Sequence, residues 1–329
     1  MIPEYRYQVK DYSIITPPFK EYIVKPLMRF VPWWIPANMI TIVSNVCMYV
    51  ALIIALYSRL DPIYNYFFAA ILVFLYAVGD HIDGMQAKRT KTSSALGEFF
   101  DHYLDAFNTG ILLMIIIRLY GVNNPYLIAF FISANYLAHA SVFYEQYKTG
   151  WLIFEKMGSL EAVLLTSLIL IASCFTPVNQ ILLSTPLLNL KVIELIFLLS
   201  TIGTVITFIK TAIRAKITEL NFYIFCLLLI ITTLLCLAMV SSFKLFLIIT
   251  LYSGFYIGSL MRGHLADGKE RLPDFVVPLL LGIAYFVLKI DIHTLSFATI
   301  LFLTGCVLYV AFRVVYTLRA FWVWENPIE

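Results

Sequence analysis

The sequence predicts an all-α polytopic membrane protein of about ten transmembrane helices, preceded by an N-terminal interfacial helix. Three observations predict it. Hydrophobic residues make up 61% of the 329-residue chain and charged residues only 13%, where soluble domains carry about 25% charged residues; the mean hydropathy is +0.87. The apolar residues gather into runs of about 18 or more, long enough to cross a bilayer as helices. Lys and Arg are shared very unevenly between the gaps that separate these runs.

The first 38 residues hold charges and no apolar core of signal-peptide type, so no cleaved leader is expected. Within them, residues 19–34 read FKEYIVKPLMRFVPWW. Lys and Arg alternate there with aromatic and aliphatic side chains, which suits a helix lying in the membrane interface with Trp33 and Trp34 as belt residues. The spanning runs follow at roughly 39–59, 62–80, 99–120, 124–144, 159–176, 192–209, 220–241, 243–261, 274–290 and 293–316. The expected organisation is a cytoplasmic or interfacial segment over 1–38, helices over 39–210 that carry the acidic stretch described next, and helices over 211–329 that complete the same domain. If the termini and the even-numbered gaps face one side, that side holds 18 of the 23 Lys and Arg residues. The positive-inside rule then puts both termini and the acidic stretch on the cytoplasmic side. The choice between a bacterial inner membrane and a eukaryotic endomembrane stays open. The five cysteines, Cys47, Cys174, Cys226, Cys236 and Cys306, sit in apolar helices without metal-ligand spacing and read as small buried hydrophobes.

Residues 79–105, GDHIDGMQAKRTKTSSALGEFFDHYLD, break the apolar pattern. Asp80 and Asp83 are spaced i, i+3 and share a helical face with the small residues Gly84 and Ala87. If the next helix opens near Ser94, Gly97, Asp101 and Asp105 recur every fourth residue on one of its faces. Two helices joined by a polar turn can bring the four carboxylates together. A charge at bilayer depth costs roughly 2.5–3.5 kcal/mol on insertion scales, and four like charges repel. Salt bridges to Lys88, Arg89 and Lys91 are one answer, and a cation pathway as in a transporter is another. Divalent metal is favoured, because hard carboxylate oxygens suit Mg²⁺ or Mn²⁺. Two such ions about 4 Å apart clamp the attacking and leaving oxygens of a phosphoryl transfer.

The spacing D-x2-D-G-x2-A-R-x8-G-x3-D-x3-D is that of the CDP-alcohol phosphotransferase family, and this sequence resembles it with Asp80, Asp83, Gly84, Ala87, Gly97, Asp101 and Asp105 in register. It departs at Lys88, where the family has Arg; Arg89 is next. The wording DGMQAKRT and GEFFDH is similar to the choline/ethanolamine phosphotransferase branch. So are FVPWWIPANMIT (30–41), with Pro36, Asn38 and Thr41, and FYEQYKTGWLIF with Glu161 and Ala162 (143–162). The C-terminal half matches chiefly in helix count and in MRGH (261–264).

The resemblance implies transfer of phosphocholine or phosphoethanolamine from CDP-choline or CDP-ethanolamine to the hydroxyl of diacylglycerol, with release of CMP. It implies two Mg²⁺ or Mn²⁺ ions on Asp80, Asp83, Asp101 and Asp105. Gly84, Ala87 and Gly97 would let the nucleotide lie against the helices, with Lys88 or Arg89 on a phosphate and Asn38, Glu145 and Tyr147 as further substrate contacts. His102, oriented by Glu161, is the favoured general base, and Asp105 the other candidate. A homodimer in membrane lipid is expected, and no nucleic acid partner. A CDP-diacylglycerol-dependent enzyme with a small alcohol acceptor is the nearest rival. A cation-coupled transporter is the rival from another class, against which the chain shows no evident internal repeat.

Overall fold

The computed structural model describes residues 8–318; the two chain termini, expected on the cytoplasmic side, lie outside that range. After a short strand β1 (Val9–Asp11) come α1 (Thr16–Phe19), a π-helical turn (Lys20–Val24) and α2 (Lys25–Met28), which run on as one helix. This helix begins three residues before the expected interfacial helix (19–34) and stops short of residue 34. The reason is local: the N–H groups of Arg29, Phe30 and Val31 bond to carbonyls three residues back, tightening the last turn, and Pro32 has no N–H with which to continue.

The spanning helices then follow as α3 (Ala37–Tyr57), α4 (Pro62–Thr90), α5 (Ala95–Leu119) and α6 (Pro125–Thr149). A second strand β2 (Leu152–Phe154) precedes α7 (Ser159–Ala172), α8 (Thr176–Leu183), α9 (Val192–Arg214), α10 (Leu220–Met239), α11 (Ser242–Arg262), α12 (Val276–Phe286) and α13 (Ile292–Leu318). All ten apolar runs are helical. Among the described residues eight helices are long and apolar enough to cross a membrane, and the pair α7 and α8 makes a ninth if counted as one span, bent by 116°. The chain is therefore a multi-pass integral membrane protein. The bend falls where Pro177 enters the second position of α8 and forbids a continuous helix. Residues 274–290 yield a helix of only 11 residues. Lys289 takes a left-handed φ of 50°, and the N–H groups of Leu288 and Ile290 fold back onto Ile283 and Ala284, closing the helix in a Schellman-like cap.

Two compact units divide the described chain: residues 8–121 with 153–196, and residues 122–152 with 197–318. In the first, α3 packs along both α4 and α5, and α7 packs on α4. The tightest approach is at Gly79, where an added Cβ would stand 2.5 Å from the Ser44 Cβ, so only glycine lets α3 and α4 come this close. Outward residues such as Val43, Val46 and Ile53 leave an apolar face on α3, as expected of a helix bordering lipid. In the second unit α11 is the central helix, most of its residues buried as it packs on α6, α10 and α13.

Candidate active site

α4 has 29 residues; at 1.5 Å rise it is about 43 Å long, some 13 Å more than a hydrocarbon core. It starts at Pro62, capped by the Asp61 carboxylate accepting from the Ile63 N–H at 2.9 Å. Roughly 20 residues span the core, so the helix reaches the far side near Asp80, and its acidic stretch projects into more polar surroundings. α4 closes at Lys91 in the left-handed conformation, φ 58°. α5 opens at Ser94, whose hydroxyl accepts from the Gly97 N–H at 3.1 Å, as the expected start near Ser94 requires.

The junction forms a cavity of about 490 Å³, within the 300–1,000 Å³ typical of small-molecule sites. Asp80, Asp83, Gly84, Ala87 and Lys88 line it from α4, and Gly97, Asp101, His102 and Asp105 from α5. Asn38 and Thr41 of α3 and Glu161 of α7 also line it. All belong to the unit formed by residues 8–121 and 153–196.

Each carboxylate is held differently. Asp83 is buried and accepts from Thr41 Oγ1 at 2.6 Å. Asp105 Oδ1 accepts from the Tyr76 hydroxyl at 2.5 Å and from Asn108 Nδ2 at 3.4 Å. Asn108 Nδ2 also donates to Asn45 Oδ1 at 2.7 Å, and Asn45 Nδ2 to the Thr41 carbonyl at 2.8 Å, so one polar network ties α3 to α5 behind the acids. Asp80 Oδ2 lies 3.3 Å from His81 Nδ1. Asp101 Oδ2 lies 3.7 Å from His102 Nδ1, while Asp101 Oδ1 is buried with no hydrogen-bond partner. Asp101 interacts electrostatically with all three other aspartates. Four acids with an orphaned oxygen among them call for cations.

Ligand atoms of Asp101, His102 and Asp105 lie within 4.8 Å of one another and could hold a metal ion. This donor set of carboxylate oxygens and an imidazole fits a divalent cation. It draws in His102, which sequence reasoning kept as a base, and it leaves Asp80 and Asp83 on the same cavity wall.

Other expected residues lie elsewhere. Arg89 does not line the cavity: its guanidinium donates to the carbonyls of Met28 at 3.1 Å and Val31 at 2.6 Å and stacks 4.5 Å above Trp33. It fastens the N-terminal helix to α4. Glu145 and Tyr147 are also absent from the cavity walls. The buried Glu145 carboxylate accepts from Arg214 at 2.7 and 2.6 Å, and the Tyr147 ring covers Gly263, where a Cβ would stand 2.9 Å from it. Glu161 lines the cavity, and its carboxylate accepts from the Ser13 hydroxyl, the Ile15 N–H at 3.3 Å and the Gly158 N–H at 2.8 Å.

Sequence reasoning missed several cavity residues, among them Glu98, Asp11, Ser13 and Lys20. Glu98 carried a signal, since it precedes His102 by one turn on the aspartate face of α5. The other three belong to the N-terminal segment, which the Tyr12 N–H ties to the Phe154 carbonyl at 3.0 Å and the Ile14 N–H to Lys156 at 3.3 Å.

Residues 34–197, about half of the chain, match the model of the CDP-alcohol phosphatidyltransferase family. Cholinephosphotransferase 1 of Saccharomyces cerevisiae is 28% identical over 178 residues, covering 51% of this chain and 44% of that protein. Cholinephosphotransferase 1 of Homo sapiens is 29% identical over 215 residues, 62% of this chain and 52% of its own length. Choline/ethanolaminephosphotransferase 1 of Arabidopsis thaliana is 39% identical over 111 residues, 31% and 28% of the two chains. The matches thus span about half, or less, of the length of these curated relatives. The matched segment contains every aspartate of the cavity's metal-capable wall, and the chain belongs to the CDP-alcohol phosphatidyltransferase family.

Proposed function

We propose that the protein transfers phosphocholine or phosphoethanolamine from the CDP-alcohol to the free hydroxyl of diacylglycerol, releasing CMP. The observation that carries this reading is the convergence of Asp80, Asp83, Asp101, Asp105 and His102 on one cavity beside Lys88. The names of the relatives favour an aminoalcohol donor.

The acceptor oxygen attacks the phosphorus bearing the aminoalcohol. The bond from that phosphorus to the bridging oxygen breaks, and CMP leaves with the electron pair. Asp80, Asp83, Asp101 and Asp105 would hold Mg²⁺ or Mn²⁺, which when bound neutralises charge on the diphosphate oxygens. His102 takes the hydroxyl proton, since an imidazole titrates near working pH while a metal-bound carboxylate is a weak base. The Asp101 carboxylate 3.7 Å from Nδ1 stabilises the imidazolium formed when Nε2 accepts the proton. Glu161, held by Ser13, Ile15 and Gly158, adds negative charge to the same wall. Lys88 contacts a phosphate as a point charge. Gly84, where an added Cβ would meet nothing within 4 Å, keeps the wall open for the nucleotide. The expected orientation puts this cavity on the cytoplasmic side, where the donor is dissolved.

The test is CMP release by the purified protein in diacylglycerol-containing nanodiscs, with CDP-choline or CDP-ethanolamine and Mg²⁺ or Mn²⁺. CMP and phospholipid should appear in equal amounts and vanish with Asp101→Asn. Turnover of CDP-diacylglycerol with a small alcohol alone would reverse the donor assignment. Cation flux across liposomes without CMP would replace the enzyme with a transporter.

A further inference from the structure

We infer that Lys20 is a second cationic contact for the donor's diphosphate, carried into the cavity by an N-terminal strap outside the family-matched segment. This inference rests on the transferase reading above. Lys20 stands on the π-helical turn and lines the same cavity as Lys88 and the four aspartates. Among the described residues neither lysine has an ion-pair partner, although acids abound around them. Burial lowers the Lys20 pKa; Asp11 opposes that shift, Lys88 adds to it and Asp80 opposes it. The Lys20 ammonium therefore feels both the second lysine and the metal-capable acids. Two ammonium groups facing one space repel unless an anion lies between them. A diphosphate held at the aspartates supplies that anion.

The strap is built to hold Lys20 in place. Phe19 packs edge-on against Phe74 and His81, with ring centroids 6.3 and 5.3 Å away. The Ser13 hydroxyl donates to Glu161, and the Thr16 N–H and hydroxyl donate to Ser13 Oγ at 2.9 and 2.8 Å. The strap is thus pinned to a residue of the cavity itself, and β1 pairs with β2.

Steady-state kinetics of the full chain in diacylglycerol-containing nanodiscs test this, with CDP-ethanolamine and CDP-choline as donors. Lys20→Met and Lys20→Gln should raise the donor KM about ten- to a hundredfold, with a much smaller change in kcat and in the diacylglycerol dependence. Lys20→Arg, which keeps the charge, should recover most of the loss. Lys25→Met, at an exposed lysine paired with Glu21, should behave as wild type, and thermal melting should show all four variants folded. A wild-type donor KM in Lys20→Met and Lys20→Gln would overturn the inference. So would Lys20→Arg as impaired as Lys20→Met, which would indicate a steric role. Wild-type protein that turns over neither donor would instead overturn the transferase reading.

Discussion

Gly79→Ala tests whether the spacing of α3 and α4 sets the geometry of the acidic cavity. The added Cβ would stand 2.5 Å from the Ser44 Cβ, and the next neighbours are Ser44 Oγ at 3.4 Å and Ser44 Cα at 3.5 Å. Carbon atoms prefer roughly 3.5–4.0 Å, so the two helices must separate by about 1 Å or more at this point. Neither atom is the far end of a flexible side chain, so rotation of Ser44 cannot relieve the clash. Overpacking of this kind costs about 1–3 kcal/mol, and alanine's better helix propensity returns at most about 1 kcal/mol. The expected net loss is about 0–2 kcal/mol. The displacement also reaches the site, because α3 carries Thr41, which holds Asp83 at 2.6 Å, and Asn45, which holds the Asn108 network at 2.7 Å. A misplacement of about 1 Å can cost a hundredfold in rate. Thermal melting in nanodiscs and CMP release should fall together for Gly79→Ala. Ser44→Gly combined with Gly79→Ala removes the clashing Cβ and should recover both. An alanine variant with wild-type melting and wild-type turnover would refute the reasoning, as would a double variant no better than the single.

Three further outcomes are expected. Tyr76→Phe removes the 2.5 Å hydrogen bond to Asp105, and loss of such a supporting contact typically weakens metal affinity about 10–100-fold; the Mg²⁺ or Mn²⁺ concentration giving half-maximal CMP release should rise accordingly. Thr41→Val should raise the same metal requirement through Asp83, and Thr41→Ser, which keeps the donating hydroxyl, should not. Arg214→Leu strands the Glu145 carboxylate, which is only 1% exposed, and should destabilise the protein by about 3–5 kcal/mol. Pairing Arg214→Leu with Glu145→Leu should recover much of that in a melting assay.

The fold class and the acidic site were largely legible because both follow from local periodicity. Runs of apolar residues fix helices, and spacings of three and four fix which aspartates share a face. Ser94 could be named as the start of α5 because a serine before an apolar run caps a helix whatever surrounds it. The choice between Lys88 and Arg89 was also encoded, though it needed the helix phase. At about 100° per residue, Gly84, Ala87 and Lys88 stay within about 80° of Asp80, whereas Arg89 falls about 180° away. Only Lys88 can share the aspartates' side, and Arg89 is left to grip the N-terminal helix. The roles given to Glu145 and Tyr147 rested on resemblance in a segment outside the first unit. Nothing in their spacing disclosed that Arg214, 69 residues on, takes up the Glu145 carboxylate.

The N-terminal strap marks where legibility ends. Its strand has three residues, too few for a period, and its partner lies some 140 residues away. Ser13 and Glu161 are separated by 148 positions, and no property of either serine or glutamate alone announces the pair. Yet the strap decides what the cavity is. The family-matched residues 34–197 supply the aspartates, His102, Glu98 and Glu161, a wall rich in negative charge. Residues 9–20 add Lys20, with Asp11 and Ser13, to the same cavity. Without the strap the site is a carboxylate cluster in which Lys88 is the lysine. With it, Lys20 adds a second lysine to the same space, and two cationic groups beside the acids suit a metal-bound diphosphate. A chain begun at residue 34 should therefore keep the affinity of its acids for Mn²⁺ and lose affinity for the nucleotide, a separation that no substitution among the aspartates can produce. Joint loss of both would show that the strap maintains the cavity's shape and adds no charge contact of its own.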